Sequence, residues 1–348
     1  MREELRHAWI RSAAELEQLE RPWSELWKRD PGATPFQHPA WLLPWWHCFG
    51  EELRTVATFR GDDLVALLLF YIHREPRSGE HQLLPVGVGT TDYLDGIFAP
   101  DMSVAEVGAA VEFLCDEDGW DGLYVSQLRA GSKLLRALEA GQQGERLIGQ
   151  SCSRMPAVPL SALPQKIRRN AMYYRNRALR AGNLELDVAG GSNWGKAFAV
   201  LMRLHGERWR DRGEPGVFAD ERVVRWHEQA LPRLERAGLL RLCSLRLEGG
   251  EIMGVLYALI DPPGRPERTQ YFYLPAYSIR HADLRPGTLL TALAVEHAAG
   301  EGVQTIDMLR GDEEYKKLWH TERAETFGFA RGRRAGREES LSAGDRAA

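Results

Sequence analysis

Two short segments in the second half of the chain contain residue types that could do chemistry. The first is LRPGTLL at 284–290, where Pro286 fixes the chain at a helix start and Thr288 is placed to cap that helix. Arg285 supplies positive charge, and Gly287 lets another group approach the backbone closely. Because the first turn of a helix carries free N–H groups, the segment is suited to binding a phosphate. A Pro-Gly pair is also common at ordinary helix starts. The order of the surrounding elements must therefore decide whether this segment binds a phosphate.

The second segment is TIDMLRGDEEYKKLWH at 305–320, which combines carboxylates with a tyrosine. Asp307 is predicted at the end of a strand and Glu314 lies nearby, and either could accept a proton directly or through water. Asp307 could equally pair with Arg310, and Tyr315 could simply pack against the sheet.

The elements around these segments form a recognisable order. Helices are predicted at 165–182, 194–209 and 221–237, a strand at 184–188, and a three-stranded antiparallel meander at 239–247, 252–260 and 268–278. The meander leads into a helix at 288–299 and a strand at 303–308, and a right-handed crossover should make that strand parallel to its predecessor. The phosphate-binding segment therefore opens the crossover helix, and Asp307 lies on the strand that follows.

The sequence pattern of the first half predicts an α+β domain with a mixed sheet. Ser12 and Glu15 form a capping box before a helix at 12–28, Pro39 begins an aromatic-rich core helix, and a hairpin is predicted over 53–73. The proline-rich PAVPLSALP at 156–164 is the best boundary, which gives domains at 1–158 and 159–331. The charged, glycine-rich tail at 332–348 is predicted to be disordered.

Composition excludes several classes of protein. In a chain of 348 residues, 44% apolar and 27% charged residues are typical of a globular protein, and a net charge of -4 gives no basic field for DNA. The four cysteines lack the spacing of a metal site or a disulfide framework, and GxSxG, HExxH, Walker A and GxGxxG are absent from the sequence. No signal segment opens the sequence, and the longest apolar run, 64–72, is too short to span a bilayer. A cytoplasmic protein is therefore expected.

Several motifs in the right order resemble the GNAT superfamily (Gcn5-related N-acetyltransferases), in its CelD-like branch, which is related to the Fem-like peptidyltransferases. The signature D-x-x-R-G-x-x-x-Y-K matches Asp307, Arg310, Gly311, Tyr315 and Lys316. The S-P-G loop of the family is matched at Pro286-Gly287, although Arg285 replaces the serine. Further matches are RLHGERW, GVFAD, the RRN segment near Arg168, WWHCFG and TDYLDG, so the resemblance covers about residues 35–328.

This resemblance implies two tandem GNAT-like domains, of which the first is degenerate and the second uses acyl-CoA without a metal. Tyr315 would protonate the leaving thiolate, and Asp307 or Glu314 would act as the base. An N–H within 271–276 would polarise the carbonyl, and Pro275, which lacks a donor, indicates a break that opens a gap for pantetheine. The implied donor-binding residues are Arg285, Pro286, Gly287, Thr288, Tyr273 and Leu274. The implied acceptor-binding residues are Arg310, His205, Trp209, Phe218, Lys316, Asp92 and Tyr93.

The implied acceptor is an amine on a small molecule, a sugar, or a peptide-like or polysaccharide precursor of the cell envelope. Two alternatives stay open. An aminoacyl-tRNA donor would use the arginine-rich helix at 168–180, although such a run is usually a solvated face and the long helical arm common in Fem-like proteins is absent. A non-catalytic binding protein in polysaccharide biosynthesis would have lost the site in both halves.

Overall fold

The computed structural model describes residues 4–141, 143–189, 193–247 and 250–332. The chain forms two compact units: unit 1 runs to Gln150 and resumes at Glu325, and unit 2 is Ser151–Ala324. The division therefore falls after Gln150 and not after Val158, because residues 152–156 form a strand in the sheet of unit 2. The predicted disorder of the tail concerns residues 333–348, which lie outside the described residues.

The helices in chain order are α1 Ala13–Gln18, α2 Glu20–Arg29, α3 Pro39–Phe49, α4 Val104–Asp116, α5 Lys133–Ala140, α6 Gln165–Ala181, α7 Trp194–Asp211, α8 Glu221–Arg236, α9 Pro286–Gly300 and α10 Glu314–Lys317. The strands are β1 Leu5–Ile10, β2 Glu52–Leu53, β3 Thr55–Arg60, β4 Asp63–Leu68, β5 Phe70–Arg74, β6 His81–Pro85, β7 Ile97–Phe98, β8 Gly122–Arg129, β9 Glu145–Ile148, β10 Cys152–Pro156, β11 Leu184–Ala189, β12 Leu240–Leu247, β13 Ile252–Ile260, β14 Thr269–Tyr277, β15 Thr305–Arg310, β16 Glu322–Ala324 and β17 Thr326–Gly332.

Unit 1 contains two sheets, ordered β1-β3-β4-β7 and β2-β5-β6-β8-β17-β9. The strand predicted at 64–73 is divided, because β4 lies in the first sheet and β5 in the second. Helix α3 buries Trp41 and Trp45, whose indole N–H groups donate to the hydroxyls of Thr91 and Thr90 at 2.9 and 2.7 Å. The aromatic helix is thus core, as its sequence predicts.

Unit 2 is built on one sheet in the order β11-β12-β13-β14-β15-β10-β16. The predicted meander of β12, β13 and β14 is antiparallel, and β15 pairs parallel to β14 after the crossover through α9, as predicted. Side chains alternate across a strand, so the two neighbours Leu256 and Tyr257 mark opposite faces. Leu256 lies in the core that α9 and α6 cover, whereas Tyr257 contacts His227 of α8.

The two units repeat one topology. In unit 1 the parallel pair is β6 and β8, joined through α4, and in unit 2 it is β14 and β15, joined through α9. The order β8-β17-β9 repeats the order β15-β10-β16, with a strand from elsewhere in the chain in the middle position. The predicted α+β class with two tandem GNAT-like domains is confirmed by this topology.

Candidate functional site

Two parallel strands of unit 2 separate part-way along their length. The ladder between β14 and β15 contains only the pairs Thr269↔Thr305, Gln270↔Ile306 and Tyr271↔Asp307. Beyond these pairs β14 continues to Tyr277 and β15 to Arg310 without pairing to each other. Strands that separate in this way leave backbone N–H and C=O groups outside their shared ladder, where an extended ligand could pair with them.

A β-bulge lies on the gap side of the meander. Ala258 pairs with Phe272 and Tyr257 pairs with Leu274, so Tyr273 is the additional residue on β14. The break predicted at Pro275 lies within the stretch of β14 that does not pair with β15, although Pro275 stays in register with Leu256 of β13. A bulge leaves its extra residue outside the regular ladder and increases the local twist. Tyr273 and Leu274 are partly exposed, as residues lining a gap must be.

Helix α9 begins next to this gap. Its N-cap is Arg285, which has left-handed backbone angles (φ 49°) and makes no capping hydrogen bond with its side chain. The expected capping by Thr288 is wrong, because Thr288 lies within the first turn and its own N–H donates to the Arg285 carbonyl at 3.0 Å. Among the described residues the Gly287 N–H has no hydrogen-bond acceptor, and Pro286 has no N–H. The helix start thus offers one bare amide beside one cation.

The turn after β15 explains the D-x-x-R-G-x-x-x-Y-K signature physically. Leu309 has a positive φ of 58°, and its N–H donates to Asp307 Oδ1 at 2.8 Å. Lys316 is only 3% exposed, and its ammonium donates to the carbonyl of Arg310 at 2.7 Å and pairs with Glu313 at 2.9 Å. These contacts hold a strained turn in one shape. They also engage the Lys316 ammonium, so it is not available to an acceptor.

Asp307 lies close to an arginine of the neighbouring strand β10, and its pairing with Arg310 stays a prediction. Asp307 is 2% exposed, and its Oδ2 lies 3.5 Å from Arg154 Nε on β10. Arg310 ends β15, opposite Cys152 of β10, and is partly exposed. The other candidate base, Glu314, has a largely exposed side chain that pairs with Lys317. A buried, engaged carboxylate and a solvated one are both poorly placed to take a proton in a gap.

Tyr315 lies on α10, which this turn positions, and is 43% exposed. Partial burial raises its pKa above the ordinary tyrosine value, and the negative charge of Glu313 and the neighbouring Tyr277 act in the same direction. The Arg208 guanidinium opposes them. Arg208 lies over the Tyr277 ring, 4.6 Å from its centroid. The hydroxyl of Tyr315 therefore keeps its proton at neutral pH and can donate it.

The predicted residues His205, Trp209 and Phe218 lie together on the α7/α8 side of unit 2. The His205 ring centroid is 5.7 Å from that of Trp209 and 5.1 Å from that of Phe218. Gly216 makes this contact possible: it has a φ of 72°, and a Cβ there would lie 2.8 Å from His205 Cε1. Phe218 also contacts His227, whose ring lies 5.8 Å from that of the bulge residue Tyr273. One continuous aromatic wall thus reaches the gap.

Burial keeps both histidines of this wall neutral. Desolvation lowers the pKa of His205 to about 4, with help from Arg208, and lowers that of His227 to about 3. An unfolded histidine titrates near its ordinary value, so the unfolded chain binds more protons as the pH falls below that value. Stability is therefore lost on acidification. The Nδ1 atom of His205 makes no hydrogen bond with any described residue.

We expect unfolding to become easier by about 4 kcal/mol between pH 7.5 and pH 5.0 from these two histidines together, at about 1.4 kcal/mol per pH unit of differential protonation for each. Urea unfolding followed by far-ultraviolet circular dichroism at the two pH values measures the difference. In a His205→Gln variant the loss of stability between the two pH values should be smaller by about 2 kcal/mol. An unchanged slope would show that His205 is already protonated in the folded chain.

Asp92 and Tyr93 belong to unit 1, whereas the other predicted site residues belong to unit 2. Both are buried, at 4% and 2% exposure, and the Tyr93 ring packs 6.3 Å from that of Phe36. Their burial fits core packing better than contact with an acceptor.

The sequence did not predict a role for Arg208 or Tyr277 at the site. The spacing of Leu201, Leu204, His205 and Arg208 places them on one face of α7, which was the available signal.

Comparison with known proteins agrees with this geometry. Residues 165–317, which include the gap, α9 and Tyr315, match the acetyltransferase (GNAT) domain family. The second unit is a GNAT domain. In this GNAT domain the parallel pair and its crossover helix are β14, α9 and β15. No curated protein matches the sequence significantly.

Solved structures resemble the whole chain, not the GNAT domain alone. FemX has 14% identity and a TM-score of 0.63, with coverage of 89% of this chain and 95% of FemX. L-PGS from Bacillus licheniformis has 15% identity and a TM-score of 0.58, with 92% of each chain covered. A tandem GNAT protein from the clavulanic acid biosynthesis pathway has 13% identity and a TM-score of 0.50, with coverage of 97% of this chain and 100% of that protein. At such identities the likeness concerns the fold.

Two kinds of feature, a metal-binding group and a membrane-spanning helix, are absent from the described residues. In that part of the chain no three His, Cys, Asp or Glu side chains are grouped so as to hold a metal ion. No helix there is both long enough and apolar enough to cross a bilayer.

Proposed function

We propose that the GNAT domain binds an acyl thioester of coenzyme A in the gap between β14 and β15 and transfers the acyl group to an amine. The observation that carries this proposal is the separation of the two strands after Tyr271 and Asp307, directly beside the uncapped start of α9. A thioester arm is long, thin and able to hydrogen-bond along its length. A gap between strands with a phosphate-binding helix start at its mouth suits such a ligand.

Donor binding, carbonyl polarisation and protonation of the leaving sulfur each have a candidate group. Arg285 and the Gly287 N–H would hold the diphosphate, and the backbone at the Tyr273 bulge would polarise the carbonyl. Tyr315 would donate its proton to the departing sulfur. We propose no base among Asp307 and Glu314, because one is engaged with Leu309 and Arg154 and the other is solvated. Asp307 and Lys316 would instead hold the turn that positions Tyr315.

A second donor class, aminoacyl-tRNA, is favoured by one observation. Helix α6 contains no acidic residue, carries Lys166, Arg168, Arg169, Arg175, Arg177 and Arg180, and exposes Tyr173. It packs against α9 and the short turn Ala282–Leu284, and Arg177 pairs with Asp283 at 2.8 Å. A basic face with an exposed aromatic ring beside the donor site suits a nucleic acid. The single bare amide at Gly287 is also a small cradle for a diphosphate.

We propose that unit 1 is the degenerate copy, without a donor of its own. Its crossover helix α4 begins with a complete capping box, in which Ser103 and Glu106 satisfy the helix start. A carboxylate at that position would repel a phosphate. The corresponding α9 has no such cap.

The donor test compares acetyl-CoA and transfer RNA by isothermal titration calorimetry, followed by thiol release with a panel of amines. We expect acetyl-CoA to bind. Arg285→Gly should weaken binding about 3- to 10-fold, because it removes a cation from an exposed phosphate site. Glycine adopts the left-handed conformation of this position freely, so stability should not fall.

Arg285→Lys is the matched control, since it keeps the charge, and it should bind acetyl-CoA nearly as the original protein does. Binding of transfer RNA without acetyl-CoA would favour the second donor class. Binding of neither would favour a non-catalytic protein.

A further inference from the structure

Arg208 of α7 is a cation that lies against Tyr277, the last residue of β14. Its guanidinium lies over Tyr277 and is partly buried, and within the described ranges it makes no ion pair or hydrogen bond. Nearby arginines on the same helix differ: Arg203 pairs with Glu207 at 2.8 Å, and Arg210 donates to the Gly206 carbonyl at 3.1 Å. An arginine stacked on a ring is held in place, while its N–H groups stay available in the plane of the guanidinium.

The surroundings of Arg208 place this cation close to the proposed reacting atoms. Tyr277 lies beside both Arg208 and Gly287, because a Cβ on Gly287 would lie 3.1 Å from the Tyr277 ring. Arg208 is also close enough to Tyr315 to act on the pKa of its hydroxyl. A partly buried charge without a counter-ion is costly, so an anionic group of a ligand is the natural partner.

The anion is better assigned to the acceptor than to the donor. Helix α9 covers one face of the sheet and α7 packs on the other. The Arg208 guanidinium itself lies over Tyr277 and close to Tyr315, the proposed proton donor at the reacting end of the thioester. A donor that enters from the α9 side presents its carbonyl through the gap, so the attacking amine must come from the α7 side. Two oxygens of a carboxylate match the planar fork of a guanidinium.

We propose that Arg208 binds a carboxylate of the acceptor, which makes the acceptor an amine that also carries a carboxylate, such as an amino acid or a related compound. This inference rests on the proposed function. In the step itself, the amine nitrogen forms a bond to the thioester carbonyl carbon and the carbon–sulfur bond breaks. The sulfur leaves with the Tyr315 proton, and the amine loses its proton to solvent. Arg208 exchanges no proton and holds the acceptor in place.

The test uses acetyl-CoA with matched acceptor pairs, such as phenylalanine with phenethylamine and alanine with ethylamine, and follows thiol release. We expect each carboxylate-bearing member to be preferred. Arg208→Gln should raise the KM of that member about 10- to 100-fold, with little change in kcat and little change for the matched amine. The control Arg203→Gln, on the same helix, should change neither value.

A second measurement does not depend on turnover. Phenylglyoxal should modify the unpartnered Arg208, and carboxylate-bearing amines should protect it while the matched amines do not, as peptide mass spectrometry would show. Equal use of both members of each pair, or no protection by any carboxylate while acetyl-CoA binds, overturns the inference. Weaker acetyl-CoA binding by Arg208→Gln, with acceptor preference intact, would assign Arg208 to the donor and overturn it as well. Failure of acetyl-CoA to bind the unmodified protein would instead reject the proposed function.

Discussion

Gly287→Glu is expected to weaken acetyl-CoA binding by at least about a hundredfold. The new Cβ would lie 3.1 Å from the Tyr277 ring, so the ring must shift slightly. The new carboxylate would lie at the one bare amide of the helix start and would repel a diphosphate there. Calorimetric titration with acetyl-CoA measures the loss, and thermal unfolding without ligand shows whether the fold is retained.

Gly287→Ala separates bulk from charge. Alanine makes the same Cβ contact with Tyr277 and brings no carboxylate. We expect it to bind acetyl-CoA with a loss of less than about tenfold, because a shift of a few tenths of an ångström is tolerated at a partly exposed ring. If both variants bind acetyl-CoA as the original protein does, the donor does not use this helix start.

Tyr315→Phe is expected to lower kcat by about 100- to 1,000-fold, the range for loss of a positioned general acid. The donor affinity should change little, because the hydroxyl acts only as the carbon–sulfur bond breaks. The raised pKa has a further consequence. Tyr315 stays protonated at and above the ordinary tyrosine value, so ionisation of this group should not lower the rate below that pH.

Tyr173→Phe on α6 is the control, since that hydroxyl is exposed and lies outside the proposed gap. It should leave kcat unchanged with an acyl-CoA donor. Pre-steady-state thiol release separates chemistry from product release in all three proteins. A Tyr315→Phe enzyme with the original rate of the chemical step would remove Tyr315 from the mechanism.

Local chemistry made part of the fold predictable from the sequence. The Ser12–Glu15 capping box is confirmed, although the helix it begins ends at Gln18 and a second begins at Glu20. The meander and the parallel strand after α9 are confirmed because alternating apolar runs and short turns fix neighbouring strands. The cap of α9 was not predictable, since an arginine in the left-handed conformation contradicts local preference and depends on the surrounding fold.

The sequence predicted which segments form the candidate site, but it did not predict most of the contacts that their side chains make. The signature residues around Asp307 and Lys316 lie together as their order suggests, but their hydrogen bonds go to backbone groups of their own turn. The bulge at Tyr273 depends on strand register, which a missing N–H at Pro275 does not determine. Arg208 lies within the RLHGERW segment, but the segment does not show what its side chain contacts. Its position over Tyr277, without an ion pair to any described residue, is evident only from three-dimensional contacts.

Strand β17 has a consequence for biosynthesis. It lies between β8 and β9 inside the six-stranded sheet of unit 1 and buries Phe327 and Phe329, yet the ribosome makes it only after all of unit 2. Unit 1 therefore cannot close its sheet during its own translation, and the edges of β8 and β9 must wait unpaired. A nascent or truncated chain that stops before Thr326 should depend on chaperones, whereas a chain that includes β17 pairs both edges with that strand.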